Sequence, residues 1–333
     1  MVFGSTSICT VFKFYVLFCF FKFFTLRLIN MLPSLLVDKN GLKNAGQLSK
    51  PLPPSKPLDI SNWQPAPPKW EKPEPSVEQM KYECEKFKRN ITAECLSDDI
   101  FENPFVMNNF KTFVYDSNAF EDAGEDASKT SLLIDRELNN PQNEAKFSVS
   151  ELEVVNHIKV IKKAMDLSMK ELVSIDGLKS VHNVLMEGVL ESAGELRTCQ
   201  VSNNMGHQYP DPRDVPSLLQ LVIEQYQDID ESSTYNIYTK AAWLKCQFLI
   251  IHPFEDGNGR LSRILLAVMF IKSGLCIFPP LSKNGHKKST KHYINSLLKA
   301  AKGQSESELA FFFLKCCYNI VCTFNCQESC AVL

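Results

Sequence analysis

The residues best suited to chemistry lie in one short segment between two of the most apolar stretches of the chain. Residues 252–263 read HPFEDGNGRLSR, after KAAWLKCQFLII and at the start of a second apolar run. Gly257 and Gly259 allow the backbone to bend so that amides at the start of the next helix point outward, where the helix dipole adds positive potential. A simple connecting turn would explain the glycines, but not a histidine, an aspartate and two arginines. The segment therefore predicts an anion-binding site.

The charged residues of this segment have the types and spacing needed for phosphoryl chemistry. Arg260 and Arg263 are three residues apart on the predicted helix, so both can face the same phosphates. Asp256 is a hard oxygen ligand suited to Mg²⁺. His252 ends the preceding helix, where a neutral imidazole can accept a proton from a hydroxyl. These parts suit in-line attack on a phosphoryl group, although the chain has neither a G-x-x-x-x-G-K-[ST] loop nor a kinase catalytic loop.

Helical periodicity dominates the chain after residue 76. Residues 240–251 and 261–271 are apolar on nearly all sides, which is typical of central helices. Strand-like alternation is limited to Leu196–Ser202. The sequence therefore predicts an all-α domain with one short β-hairpin. Its amphipathic helical stripes are 154–172, 178–189 and 215–226.

The segment 252–263 resembles the signature of the Fic (Fido) family, H-x-F-x-[DE]-G-N-G-R-x-x-R, at every fixed position. The resemblance extends over residues 100–315. It implies a Fic-type helical domain with a hairpin flap, preceded by a Pro-rich spacer. The implied reaction is transfer of AMP from ATP to a Ser, Thr or Tyr hydroxyl of a protein, with release of pyrophosphate.

The resemblance also implies a role for each matching position. In chain order these are a general base (His252), a Mg²⁺ ligand (Asp256), a cradle for the α- and β-phosphates (Gly257, Asn258 and Gly259), a β/γ-phosphate clamp (Arg260) and a γ-phosphate partner (Arg263). A flap ahead of the signature would pair with an extended target segment by adding a strand. The flap residues are Leu196, Arg197, Thr198 and Val201.

Residues 117–122, SNAFED, resemble the inhibitory motif [ST]-x-x-x-E-[GN] of the subclass with an N-terminal inhibitory helix. The resemblance implies that Glu121 pairs with Arg263 and occupies the place of the γ-phosphate. Asp122 departs from the Gly or Asn of the motif, which leaves the termination of that helix open. The alternatives are an ordinary acidic helix end, or the rival segment 131–135, which carries Asp in place of Glu.

Two features at the ends of the chain concern membranes. Residues 8–29 are long and apolar enough to span a bilayer, although Lys13 and Lys22 lie among them. The alternatives are a signal peptide and an N-terminus that is not used, with Met31 as the start. The excess of positive charge after this segment predicts that the rest of the chain is cytosolic. Cys330 begins a C-a-a-X sequence whose final Leu favours geranylgeranylation.

The chain of 333 residues divides by composition into an apolar N-terminal segment (1–30), a Pro-rich linker (31–76), a catalytic domain (77–315) and a Cys-rich tail (316–333). Residues 51–75 hold nine of the 18 prolines, so they predict a semi-extended spacer, with Trp63 and Trp70 docked on the domain. Lys and Arg number 36 against 38 Asp and Glu, so the basic excess of a typical nucleic-acid-binding protein is absent.

The leading hypothesis is a protein adenylyltransferase that uses ATP and Mg²⁺ and is inhibited by a Glu121–Arg263 pair. A second hypothesis uses the same site to remove AMP from a modified protein, with Glu121 orienting water. A third is a non-catalytic, membrane-tethered binding module, which would have no need of His252. Dimerisation is left open by the sequence.

Overall fold

The computed structural model describes residues 60, 63–95, 100–140, 146–202, 208–279, 287–303 and 306–331. The predicted membrane segment at 8–29 lies outside these residues, as do the side chain of Cys330 and the two residues that follow Ala331. The helices are α1 (Val77–Cys95), α2 (Pro104–Ala119), α3 (Ala127–Asn139), α4 (Val149–Asp166), α5 (Met169–Leu172), α6 (Ile175–Met186), α7 (Val215–Glu231), α8 (Ile237–Ile251), α9 (Asn258–Lys272), α10 (Lys287–Ala301) and α11 (Glu306–Ala331), with a 3₁₀ turn at Ile100–Glu102.

The chain divides into two compact units, of which one contains all of these helices. That unit comprises Pro51–Val201 and Tyr209–Leu333. The other comprises Met1–Lys50 and Ser202–Gln208, and of it the structure describes Ser202 and Gln208, which form an antiparallel bridge. The all-α prediction is confirmed. The hairpin predicted at Leu196–Ser202 is not shown, because that bridge is the one strand-like pairing in the described part of the chain.

Helices α8 and α9 form the centre of the domain. Helix α8 packs against α7, α9, α10 and α11, while α9 packs against α2, α4 and α6. In α9 every residue from Arg260 to Ile271 is buried, including Ser262 and Arg263. Two helices that bury nearly all their sides cannot move independently of the core, so the loop between them is held at both ends.

The Pro-rich spacer and the tail are both packed on the domain where the structure describes them. Trp63 is buried, and its carbonyl accepts a hydrogen bond from Thr239 Oγ1 of α8 at 2.9 Å. Trp70 is 72% exposed, with its ring centroid 5.5 Å from that of His292. Helix α11 continues through the expected tail, where Cys317 is buried. Residues on both sides of the expected boundaries at 77 and 315 therefore pack on the helices, and the boundaries themselves stay a prediction.

One stretch of α11 could be mistaken for a membrane span. Among the described residues, Ser307–Asn325 is the one helical stretch long and apolar enough to cross a bilayer, and 56% of it is buried inside the protein. Its phenylalanines at 311 and 313 are fully buried. This burial is typical of a core helix.

Candidate active site

His252 lies at a backbone reversal directly after α8. Its φ of 51° and ψ of 63° are left-handed, and its N–H donates to the carbonyl of Phe248 at 2.9 Å, which ends the helix. The imidazole stacks on the ring of Tyr209, with centroids 3.8 Å apart and planes 15° from parallel. Burial lowers the pKa of His252 to about 4, and the nearby charge of Arg197 adds to this, while a backbone hydrogen bond at Leu249 opposes it. At neutral pH the ring is therefore uncharged, as a general base must be.

The loop between His252 and α9 is fastened by Asn258. Its side-chain oxygen accepts the N–H of Phe254 at 3.0 Å, and its amide donates to the Phe254 carbonyl at 2.8 Å. Both residues are buried. Because these contacts occupy both ends of its amide group, Asn258 shapes the loop, and its expected part in a phosphate cradle stays a prediction.

The N-terminus of α9 has the features of an anion site. Its cap, Gly257, has a φ of 77° and offers no side chain to the first-turn amides. A Cβ at Gly257 would lie 2.8 Å from Met186 Sδ, so glycine is required there on two grounds. The helix is 15 residues long, so its dipole places positive potential at these amides.

The two arginines of α9 are buried and held by different partners. Arg260 donates to Glu153 Oε1 at 2.8 Å and to Asp256 Oδ2 at 3.1 Å. Arg263 donates through Nε to Ser117 Oγ at 2.9 Å and through Nη2 to the Ser117 carbonyl at 2.8 Å. Both guanidiniums are thus preorganised before any ligand arrives.

Glu121 lies beside the same helix terminus. Its Oε1 is 2.7 Å from Arg263 Nη2, and the Cα of Gly259 faces that carboxylate so closely that a Cβ at 259 would collide with it. The side chain of Glu121 is 39% exposed, so the carboxylate lies between Arg263 and solvent. An anion is therefore already present where the helix N-terminus and Arg263 would bind one.

The turn that presents Glu121 accommodates the departure at Asp122. Helix α2 ends at Ala119, and Asp122 takes a φ of 54°. Left-handed backbone is most accessible to Gly and Asn, and Asp is among the other residues that tolerate it. Asp122 can therefore fill the position at which the family motif has Gly or Asn.

Asp256 is the one motif carboxylate open to a metal. Its side chain is 65% exposed, although Oδ2 contacts Arg260 and Oδ1 accepts the Gly257 N–H at 2.6 Å. No group of three or more metal-ligating side chains occurs among the described residues. A single carboxylate fits Mg²⁺ that arrives with phosphates and keeps several waters, rather than an all-protein cage.

Comparison with known proteins identifies the domain. The model of the Fic/DOC family matches residues 172–270, which include the His252 loop. A Fido domain-containing protein of Dictyostelium discoideum is 30% identical over 139 residues, which is 40% of this chain and 93% of that protein. The chain belongs to the Fic/DOC family. The protein adenylyltransferase Fic of Drosophila melanogaster is 27% identical to this Fic chain over 192 residues, 55% of the chain. The match covers 37% of the Drosophila protein.

Solved Fic structures agree with the fold. A Fic family protein from Desulfovibrio desulfuricans superimposes with a TM-score of 0.61 at 17% identity, covering 79% of this chain and 77% of that one. Fic-1 of C. elegans, residues 134–508, gives 0.55 at 19% identity, with 78% and 76% covered. At these identities the likeness concerns the fold.

Arg197 has a different place in this Fic domain from the one expected. It is buried, with Nε donating to the carbonyl of His252 at 2.7 Å and Nη2 to that of Pro210 at 2.6 Å. Its backbone N–H donates to Pro253 at 3.0 Å. The side chain of Arg197 therefore holds the His252 turn, while the pairing of the flap with a target segment stays a prediction. Of the other flap residues, Thr198 is exposed, and Leu196 and Val201 are partly buried.

His182 is a structural residue of the Fic site, as its place near an apolar stripe indicates. Nδ1 accepts the Gly194 N–H at 2.9 Å, and Nε2 lies 3.0 Å from the Asp256 carbonyl. The ring stacks on Phe254 with centroids 3.8 Å apart. Burial lowers the pKa of His182 to about 4, so the neutral ring donates from Nε2 and accepts at Nδ1.

Glu153 is a site residue that sequence reasoning missed. Its Oε1 binds Arg260, while Oε2 accepts the backbone N–H of Gly124 at 2.8 Å. Its carbonyl lies 2.9 Å from Nδ1 of His157, whose Nε2 is 3.1 Å from Ser117 Oγ. One carboxylate thus holds both helix α9 and the turn that follows Glu121. The one sequence feature that could have indicated Glu153 is that it is a charged residue beside the apolar stripe of α4.

Proposed function

We propose that this chain is a protein adenylyltransferase that is held inactive by Glu121. The observation that carries the proposal is the convergence on one helix N-terminus of an uncharged His252, two buried arginines and a carboxylate paired with Arg263. The chain spans 37% of the Drosophila adenylyltransferase described above, so activity and target are inferred for this chain from its own site.

The proposed step is in-line displacement at the α-phosphorus of ATP. A Ser, Thr or Tyr hydroxyl oxygen of the target forms a bond to the α-phosphorus, and the bond from that phosphorus to the oxygen bridging to the β-phosphate breaks. The proton of the hydroxyl passes to the imidazole of His252, and pyrophosphate leaves. The amides at the start of α9, with Arg260 and Arg263, stabilise the charge on the phosphates.

Asp256 would hold the Mg²⁺ that such a reaction uses. When bound, the ion neutralises phosphate charge as a Lewis acid. To accept it, the carboxylate must loosen its contact with Arg260, which then becomes available to the nucleotide. The extended segment around Thr198, on the surface next to His252, is the proposed docking site for the target backbone.

Glu121 would inhibit by occupying the position of the terminal phosphate. Arg263 cannot pair fully with both a carboxylate and a γ-phosphate, and two anions at one helix terminus repel each other. A coupling of about 1–3 kcal/mol corresponds to roughly 5- to 150-fold suppression. Glu121 must therefore withdraw before ATP binds productively.

The test uses the full chain with ATP labelled at the α-phosphate, Mg²⁺ and a cell lysate. Glu121→Gly should label itself or a lysate protein, while wild type and Glu121→Gly/His252→Ala should not. Glu102→Gly, an exposed glutamate ahead of α2, is the matched control and should behave as wild type. If Glu121→Gly binds nucleotide but transfers no label, AMP transfer is not the activity of this site.

A second candidate activity, removal of AMP, is favoured by the unused oxygen of Glu121. Within the described residues Oε1 contacts Arg263, while Oε2 has no hydrogen-bond partner. A carboxylate oxygen with this exposure can orient a water toward an adenylylated side chain. Wild type would then remove AMP from the product of Glu121→Gly, and Glu121→Gly would not. Equal rates from both would exclude a role for Glu121 in removal.

A further inference from the structure

Lys245 is a buried basic side chain that the proposed chemistry does not use. It lies on α8, seven residues before His252, and is 3% exposed. Its Nζ donates to Ser262 Oγ at 2.8 Å, and the ring centroid of Tyr293 is 5.7 Å away. It forms no ion pair with a carboxylate in the part of the chain that the structure describes. An ammonium buried without a carboxylate partner is costly, so this position requires an explanation.

The contact of Lys245 leads directly to the anion site. Ser262 Oγ, which accepts from Lys245, donates to the carbonyl of Gly259 at 2.8 Å. Gly259 is in the first turn of α9, against which the carboxylate of Glu121 lies. Lys245 therefore lies behind the turn whose outer side would receive phosphates.

Three elements place charged or titratable groups around Lys245. Helix α9 contributes Arg263, the turn after α2 contributes Glu121, and α10 contributes Tyr293. Burial lowers the pKa of Lys245 well below its ordinary value, the charge of Arg263 adds to this, and Glu121 acts in the opposite direction. Burial raises the pKa of Tyr293, so its hydroxyl stays neutral.

Two basic side chains, Arg263 and Lys245, thus share one anion, Glu121, in the free protein. Arg263 cannot give up its proton, whereas a buried lysine can. Lys245 is therefore the group whose charge follows the anion in the site. A triphosphate carries several negative charges where Glu121 carries one, so its arrival favours the ammonium form.

We propose that Lys245 is a positioning residue that takes up a proton from solvent when a polyphosphate replaces Glu121 beside Arg263. The added charge strengthens the positive potential behind the first turn of α9. This inference rests on the proposed function, because it requires a nucleotide in that site. Because binding takes up a proton, the nucleotide should bind more tightly as the pH falls toward neutrality.

The test counts protons rather than activity. The β,γ-imido analogue of ATP, with Mg²⁺, is titrated by calorimetry at pH 8 in two buffers of different ionisation enthalpy. The proteins are Glu121→Gly and its double variants with Lys245→Gln or Lys240→Gln. Gln keeps a donor for Ser262 but cannot titrate. Lys240, which is on the same helix as Lys245 and donates from Nζ to the Asp230 carbonyl of α7, is the matched control.

We expect Glu121→Gly and its Lys240→Gln double variant to take up protons when the analogue binds. The Lys245→Gln double variant should take up clearly fewer. Equal proton numbers for all three would overturn the inference and leave the proposed function in place. No binding by any of them would overturn the nucleotide site and this inference together. If Lys245→Gln does not fold, Lys245→Met, which fills a similar volume without a polar end, takes its place.

A measurement without nucleotide tests the starting state independently. Because the pKa of Lys245 is lowered in the folded protein, the unfolded chain binds more protons between that lowered value and the ordinary 10.5. Stability should therefore rise with pH in this window. The Tm difference between wild type and Lys245→Gln should move in favour of wild type from pH 7 to pH 9. A difference that stays constant would mean that Lys245 is already charged, and would overturn the proposal.

Discussion

The carboxylate of Glu121 and the guanidinium of Arg263 are 2.7 Å apart and join the turn after α2 to helix α9. Arg263 also donates to the hydroxyl and carbonyl oxygens of Ser117, which is four residues before Glu121 in the chain. The pair is therefore one contact of a larger attachment between two helices. Removing the carboxylate should free Arg263 without detaching α2.

The first prediction concerns nucleotide affinity. Glu121→Gln keeps the shape of the side chain and removes its charge, so it should bind the β,γ-imido analogue of ATP more tightly than wild type by roughly 5- to 150-fold. Calorimetry or equilibrium dialysis measures this. Glu102→Gln should leave the affinity unchanged. An unchanged affinity in Glu121→Gln would mean that the carboxylate does not compete with phosphate.

The second prediction is that Glu153→Gln lowers AMP transfer less when Glu121 is present than when it is absent. With Glu121 present, loss of the Gly124 contact loosens the inhibitory turn and offsets the damage to Arg260. With Glu121→Gly, only the damage to Arg260 is left, and AMP transfer should fall by roughly 10- to 150-fold, as for a lost hydrogen bond to a charged group.

Label transfer in the two backgrounds checks this coupling. Glu151→Gln, on the same helix and facing Lys129, is the matched control, because Gln can keep the capping contact with Ser148. The same fold reduction by Glu153→Gln in both backgrounds would show that it supports Arg260 alone.

The third prediction concerns the pH dependence of AMP transfer by Glu121→Gly. Burial lowers the pKa of His252 to about 4 from an ordinary 6.5, so the neutral ring that acts as base persists well below pH 6.5. At saturating nucleotide, where the change in binding is removed, kcat should therefore stay level from pH 8 to pH 6 and fall only at lower pH. A half-maximal rate near pH 6.5 would mean that the ring is solvated during reaction.

The fourth prediction concerns Arg197. Lysine keeps its charge but cannot donate to the carbonyls of His252 and Pro210 together, and each buried carbonyl left without a donor costs about 1–3 kcal/mol. Arg197→Lys should lower both the free energy of unfolding and kcat, with faster amide exchange at 252–257. The exposed Arg213, changed to Lys, should alter neither. Unchanged exchange in Arg197→Lys would show that the loop is held by other contacts.

The fifth prediction compares two tryptophans of the Pro-rich segment. Trp63→Ala removes a buried side chain and should lower the free energy of unfolding by about 3–5 kcal/mol. Trp70→Ala removes an exposed one and should change it by less than about 0.5 kcal/mol. Urea unfolding of the full chain measures both. Equal effects would contradict the packing of Trp63 as part of the domain.

The sequence was most informative where the candidate site residues are contiguous in the chain. The segment from His252 to Arg263 carries its own glycines, charges and flanking apolar helices, so its place between α8 and α9 followed from spacing alone. The all-α class followed from helical periodicity for the same reason. Both depend on local pattern, which a single chain displays directly.

Contacts between distant parts of the chain were not predictable in this way. Glu153 contacts Arg260, which is 107 residues later in the chain, and Lys245 of α8 donates to Ser262 of the neighbouring helix α9. Arg197 was expected only as part of a strand-pairing flap, and nothing local in the sequence indicates that its buried side chain donates to the carbonyls of His252 and Pro210. In each case the partner is set by the packing of α4, α8 and α9, which no local pattern records.

The docking of the Pro-rich segment also has a spectroscopic consequence. Of the three tryptophans, Trp63 and Trp243 are buried, while Trp70 is in solvent beside the His292 ring of α10. A collisional quencher such as iodide should therefore act on Trp70 while sparing the other two. Because α10 also carries Tyr293, the quenchable part of the emission provides an intrinsic optical signal for any displacement of that helix when a ligand arrives.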